Sequence, residues 1–161
     1  MVYSIRLSHR LNPVRAIAWK VVKIWIRRSF PTVEQLSTTA LASRIEQNEP
    51  LLLIDARQPE EYAVSHLLDA CQATSVDEVA LINPDKDLAV VVYCSIGYRS
   101  ARLVEQLKSS GYPAANLEGS LFQWANENRL LVDADSQQTD RVHSYSPSWG
   151  LLLSSADSSE L

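Results

Sequence analysis

The sequence predicts an α/β fold, with a central, mostly parallel sheet flanked by helices on both faces. Two unbroken apolar runs, Leu51–Ala56 and Leu88–Tyr93, have the length and composition of strands covered on both sides. Helical patterns separate the apolar runs, so strands and helices alternate. The second run ends at Cys94, where a parallel sheet opens its binding crevice. A chain of 161 residues with 46% hydrophobic content supports one core of about 100–150 residues, plus appendages.

Taken in order, residues 1–30 form a basic amphipathic segment. Asn12-Pro13 supplies an N-cap and a proline at the first helical position, and Pro31 ends the helix. The segment holds Arg6, Arg10, Arg15, Lys20, Lys23, Arg27 and Arg28 and no acid, a charge of +7 against −11 for the remainder. Lys20, Lys23 and Arg27 share one face of the predicted helix. Val14, Ile17, Ala18, Val21, Val22, Ile24 and Trp25 spread over the other, with Trp19 and Ile26 at the boundary. Such a helix suits the plane of an anionic membrane surface. Docking on the domain or on a partner helix is the alternative, and a transit peptide is a lesser one. Two lysines interrupt its apolar run, which falls short of the about 20 residues a spanning helix needs.

Residues 31–132 carry the domain. Val33–Leu36 reads as a short strand, and Ser37 caps a helix running to Glu46, ended by Asn48-Glu49-Pro50. The Leu51–Ala56 strand follows, then a helix near Pro59–Val64 and a strand near Ala70–Ala73. Asp77–Leu81 reads as a helical turn and Asn83-Pro84-Asp85 as a turn. After the Leu88–Tyr93 strand come the loop at Cys94, a helix over Ala101–Ser109 closed by Gly111, a strand at Asn116–Leu117 and a helix at Leu121–Asn128. Residues 133–161 form a Ser-rich tail, expected to be loose, with one apolar island at Trp149–Leu153 expected to pack back or to bind something. There is no internal repeat, phosphate-binding glycine loop or nucleic-acid-binding motif, and no nucleic-acid partner is expected. The two cysteines, Cys71 and Cys94, make neither a disulfide framework nor a metal cluster. They fit a reducing compartment, hence the cytoplasm, with a peripheral membrane position open to the N-terminal helix.

The loop Cys94-Ser95-Ile96-Gly97-Tyr98-Arg99-Ser100 concentrates the chemistry. Inward backbone amides form an anion nest, and a helix N-terminus and Arg99 stand close by. These lower a thiol pKa, and the thiolate is the nucleophile. Gly97 permits the tight bend, and Ser95 and Ile96 supply N–H groups. Tyr98 lines the mouth, Arg99 orients an anionic substrate or braces the loop, and Ser100 is read as the cap of the following helix. Asp55 and Arg57 are expected to form an ion pair bracing the loop. His66 is a structural residue at a turn, and Cys71 a small core hydrophobe that resolves Cys94 only if it lies beside it. His9 and His143 form no ligand set with the cysteines.

Cys94-x-x-Gly97-x-Arg99-Ser100 after a hydrophobic strand resembles the active loop of the rhodanese-like sulfurtransferases. Asp55-Ala56-Arg57, Glu60-Glu61-Tyr62 with His66, and Glu118-Gly119-Ser120 with Trp124 are similar to that family's flanking segments, so the likeness covers roughly residues 33–132. It departs at Ser65 and Asp69, where the family usually or often has Gly, and at Ser95, where many members carry Arg or Lys. The resemblance implies transfer of a sulfane sulfur from a donor such as thiosulfate to a thiol or cyanide, through a Cys94 persulfide, with no metal or organic cofactor. The alternative is a catalytically weak interaction module at a membrane surface. Cys-dependent phosphatases place Arg six positions after Cys, where this chain has Ser100, and the smaller loop suits one sulfur atom better than a phosphate.

Overall fold

Local capping sets the helix starts in the computed structural model, which describes residues 2–4 and 12–154. After β1 (Val2–Ser4), the Asn12 side chain accepts hydrogen bonds from the Val14 and Arg15 amides, and Pro13 opens α1 (Pro13–Ser29). Next come β2 (Gln35–Leu36) and α2 (Thr38–Glu46), whose first turn is capped by Ser37 accepting from the Ala40 amide at 3.1 Å. β3 (Leu51–Asp55), α3 (Pro59–Val64), β4 (Cys71–Gln72) and α4 (Val76–Ile82) follow. β5 (Ala89–Tyr93), α5 (Tyr98–Ser109), β6 (Ala114–Leu117) and α6 (Ser120–Asn126) complete the alternation, before β7 (Arg141–His143) and α7 (Pro147–Gly150).

Five strands form a parallel sheet in the order β2-β6-β5-β3-β4, flanked by helices. β3 and β5 are buried from their second residue onward, as their unbroken apolar sequences require. The chain leaves β3 toward one edge and β5 toward the other. The C-terminal ends of these neighbours therefore flank a topological switch point, with Asp55 in register with Tyr93. The predicted alternation matches this architecture. β2 and β4 are shorter than the expected strands, because two bridging residues are too few to carry a periodic signal.

The described part of the tail is not loose as expected, and its apolar island packs back, one of the two expected outcomes. β7 pairs antiparallel with β1, and Val142, Ser144, Leu152 and Leu153 are buried. The Asn126 side chain donates to the Leu152 carbonyl at 2.8 Å and accepts from the Ser154 amide and hydroxyl at 2.7 Å. Composition averaged over this segment is polar, whereas a few apolar side chains decide its docking.

The N-terminal helix also packs on the domain. Val22 and Ile26 are buried, followed by Phe30. Lys23 and Arg27, two of the three basic residues expected to face a membrane, both meet Glu118, at 3.5 and 2.7 Å. Trp19 turns to the tail and donates to the Leu152 carbonyl at 3.3 Å. A second stripe, Val14, Ile17, Val21 and Ile24, stays exposed. No helix among the described residues is long and apolar enough to cross a membrane. His9, Arg6 and Arg10 lie outside the described residues.

Candidate active site

Cys94 leaves the end of β5 buried, with 1% of its surface exposed. Its Sγ accepts a hydrogen bond from the Gly97 amide at 3.1 Å, and the Ser100 hydroxyl donates to it at 3.5 Å. Gly97 makes this possible: its φ of 111° lies in the left-handed half of the map, and it stands at the N-cap of α5. An added Cβ would lie 3.4 Å from Asn116 and Ile26, within contact range, so the backbone conformation rather than crowding demands glycine here.

The loop's carbonyls are tied off from behind. The Leu121 and Phe122 amides at the start of α6 donate to the Cys94 and Ser95 carbonyls at 3.1 and 3.0 Å, and Asn116 donates to the Gly97 carbonyl at 3.2 Å. The Cys94 amide donates to Ser120 Oγ at 3.2 Å, and that hydroxyl donates to the Leu117 carbonyl at 2.9 Å. Ser120 holds φ at 50°, a region that costs a side chain energy, and these two bonds offset the cost.

Helix α5 begins at Tyr98, three residues before its expected start. Ser100 is therefore not a cap: it lies inside the first turn, fully buried, with its hydroxyl toward the sulfur. Burial opposes ionisation of Cys94 most strongly. The Arg99 charge, Ser100 through hydroxyl and amide, and the Gly97 amide together outweigh it and hold the thiol below its ordinary value.

Arg99 braces the loop through Glu61, a residue with no expected role. Glu61, buried in the first turn of α3, receives the Arg99 guanidinium on both oxygens, at 2.7 and 2.9 Å. Ser95 Oγ donates to Glu61 at 3.3 Å and accepts from Arg99 at 3.0 Å. The desolvation of Glu61 favours its neutral form, but Arg99 and the Gln58 amide hold its carboxyl below the usual carboxylate range. The local clue was a cap: Glu61 Oε2 accepts from the Gln58 amide at 3.0 Å, three residues back, with Pro59 between.

Asp55 and Arg57 do pair, completely buried, with Nη2 to Oδ2 at 2.6 Å. Their partner is the turn rather than the loop: Arg57 Nη2 donates to the Ser65 carbonyl at 2.5 Å. Ser65 adopts extended backbone with φ −169°, so this position needs no glycine, while Asp69 takes the left-handed conformation at φ 62°. His66 stacks on Tyr62 with centroids 3.8 Å apart and meets the Tyr62 carbonyl at 3.0 Å through Nδ1, a structural role. Cys71 pairs with Ile54 on the far side of β3, two strand spacings, or about 10 Å, from β5. That exceeds the about 7 Å Cα separation a disulfide bridges, so Cys71 does not resolve Cys94 directly. His143 lies on β7, and no group of residues among those described could hold a metal ion.

A cavity of about 150 Å³ opens above Cys94, Ser95, Ile96 and Arg99. Its aromatic rim comes from three places: Trp25 of α1, Tyr98 of α5, and Tyr145 and Trp149 of the tail. Trp25 stacks on Tyr98 with centroids 4.7 Å apart, and Phe30 meets Tyr98 edge-on at 5.1 Å. The Arg99 guanidinium lies 4.7 Å from the Tyr145 ring centre. Both segments outside residues 31–132 thus reach the candidate site.

A parallel α/β sheet with a buried, amide-cradled cysteine at its switch point defines the class of this domain. More particularly, the chain belongs to the rhodanese-like domain family, whose model matches residues 37–127. It is 33% identical to the Bacillus subtilis protein YtwF, named for a sulfurtransferase activity, over 60% of this chain and 95% of that protein. It is 31% identical to a sulfurtransferase of Allochromatium vinosum, over 62% of this chain and 95% of the relative. Among solved structures, a thiosulfate sulfurtransferase from Pseudomonas aeruginosa shares the fold at a TM-score of 0.62 and 19% identity, over 86% of this chain and 26% of that one. A rhodanese-like domain protein from Staphylococcus aureus aligns at 0.51 and 26% identity, over 57% of this chain and 91% of its own.

Proposed function

We propose that this protein is a sulfurtransferase that carries a sulfane sulfur on Cys94 and passes it to a thiol or cyanide. The observation that supports this best is the Cys94 thiol itself, held toward its thiolate by Gly97, Ser100 and Arg99 despite its burial. The thiolate attacks the outer sulfur of the donor, and the donor's remainder leaves with the bonding pair. The persulfide then occupies the same cradle until the acceptor attacks its terminal sulfur. Glu61 and Arg99 hold the loop in shape, and the protein residues suffice for these steps.

Alkylation by iodoacetamide tests the reading. Its rate at Cys94 should rise with pH through a midpoint below the free-thiol value of about 8.5, because a lowered pKa puts the thiolate in place at lower pH. Incubation with a sulfane-sulfur donor should add the mass of one sulfur atom, lost again on adding cyanide. A midpoint at or above the free value, with no mass gain, would favour the interaction module.

We also propose that α1 rests on an anionic membrane surface. The outward stripe Val14, Ile17, Val21 and Ile24 supports this, with exposed Lys20 and Arg28 beside it. Each basic residue near such a surface contributes about 1 kcal/mol, less at high salt. The full chain should co-sediment with anionic vesicles and not with neutral ones, and Ile17→Asp with Val21→Asp should release it. Equal sedimentation of the variant and the parent protein would count against this placement.

A further inference from the structure

We infer that the donor is organic, with a ring or compact apolar group next to its sulfane sulfur and no more than one negative charge. This deepens the sulfur-transfer reading of Cys94 and rests on it. Among the described residues lining the cavity, Arg99 is the only cation, and it is already paired with Glu61. Ser95, directly after the nucleophile, is neutral, and its hydroxyl is held between the same two groups. A dianion such as thiosulfate would shed its hydration here without meeting an unpaired cation among the described residues.

The walls favour the opposite kind of molecule. Trp25 stacks on Tyr98, which Phe30 supports from behind, so the rim is in place before a donor arrives. Trp25 and Tyr145 keep 43% and 58% of their surfaces exposed, leaving apolar area for a ring to cover. A cavity of about 150 Å³ is large enough to take a benzene ring.

With an aromatic thiosulfonate, R–SO₂–S⁻, the Cys94 thiolate attacks the terminal sulfur. One S–S bond forms at Sγ as the donor's S–S bond breaks. The electron pair leaves on the sulfinate, R–SO₂⁻, and Cys94–S–S⁻ remains. Two negative charges enter and two leave, so no oxidant, reductant or proton is required. An organic persulfide, R–S–SH, reacts in the same way, releasing R–S⁻ and keeping its proton on the transferred sulfur.

The test measures kcat/KM of the full chain for benzenethiosulfonate, methanethiosulfonate and thiosulfate, with cyanide as acceptor. Each value is divided by that donor's rate with a free thiol in solution. Benzenethiosulfonate should exceed methanethiosulfonate, which has the same charge and no ring, by about tenfold, and thiosulfate should rank last. Trp25→Ala and Tyr145→Ala should each pull the ring-to-methyl ratio toward one, while Trp25→Phe keeps most of it. The ratio is unaffected by a loss of active protein. A wild-type ratio near one, a ratio indifferent to both alanine variants, or a preference for thiosulfate would overturn the donor assignment and leave sulfur transfer standing. Absence of a sulfur adduct on Cys94 from all three donors would remove both.

Discussion

Cys94→Ser should lower sulfur transfer by roughly 10³-fold or more, because a hydroxyl forms no persulfide in the Gly97–Ser100 cradle. The variant should fold. Serine is smaller by little, and the Cys94 backbone keeps its bonds to Ser120 and Leu121. Thermal unfolding within about 3 °C of the parent would establish this, alongside rates of thiocyanate formation and intact mass after donor treatment. Cys71→Ser should retain most of the rate, since β3 stands between the two cysteines. A Cys94→Ser protein that still made thiocyanate at the parent rate would place the nucleophile elsewhere.

The largest stability effect is expected at Arg57. Arg57→Met keeps an apolar stem but strands the Asp55 carboxylate, fully buried, without its guanidinium, and leaves the Ser65 carbonyl short of a donor. Removing one partner of a buried pair costs about 3–5 kcal/mol. In a chain of this size that lowers Tm by roughly 6–20 °C. Adding Asp55→Asn should recover part of the loss, because the uncompensated charge is then gone. Chemical denaturation of the two single variants and the double variant measures the coupling. Strict additivity would mean that the pair contributes nothing as a pair.

The loss should also reach the cradle indirectly. Arg57 and Asp55 hold the turn after α3, and α3 carries Glu61 to Arg99. Glu61 has a depressed pKa, so its contribution to stability is present above the unfolded carboxylate value of about 4.3. It is lost as pH falls through the lower folded value.

Much of this arrangement was legible in the residues. The runs ending at Asp55 and Tyr93 read as strands because burial on both faces demands continuous apolar side chains, and that is a property of the segment itself. Asn12-Pro13 and Ser37 read as helix starts because capping involves only neighbours. Ser100 reads as a cap for the same reason, although it lies inside the first turn. A serine before an apolar stretch looks like a cap until Gly97, at φ 111°, opens the helix three residues earlier.

The features readable from neighbouring residues are therefore local: the strand–helix alternation, the thiol at the end of β5 and the bend at Gly97. Tertiary structure alone decided what surrounds that thiol. Glu61 meets Arg99 across 38 positions, and Ser120 reaches the Cys94 amide across 26. Trp25 and Tyr145 reach the cavity because α1 docks through Val22 and Ile26 and the tail through Val142, Leu152 and Leu153. Capping and hydrophobic periodicity are short-range and leave a mark in neighbouring residues. Ion pairs and ring contacts between elements arise only when packing brings distant side chains within a few ångströms, and no spacing along the chain records which ones will meet.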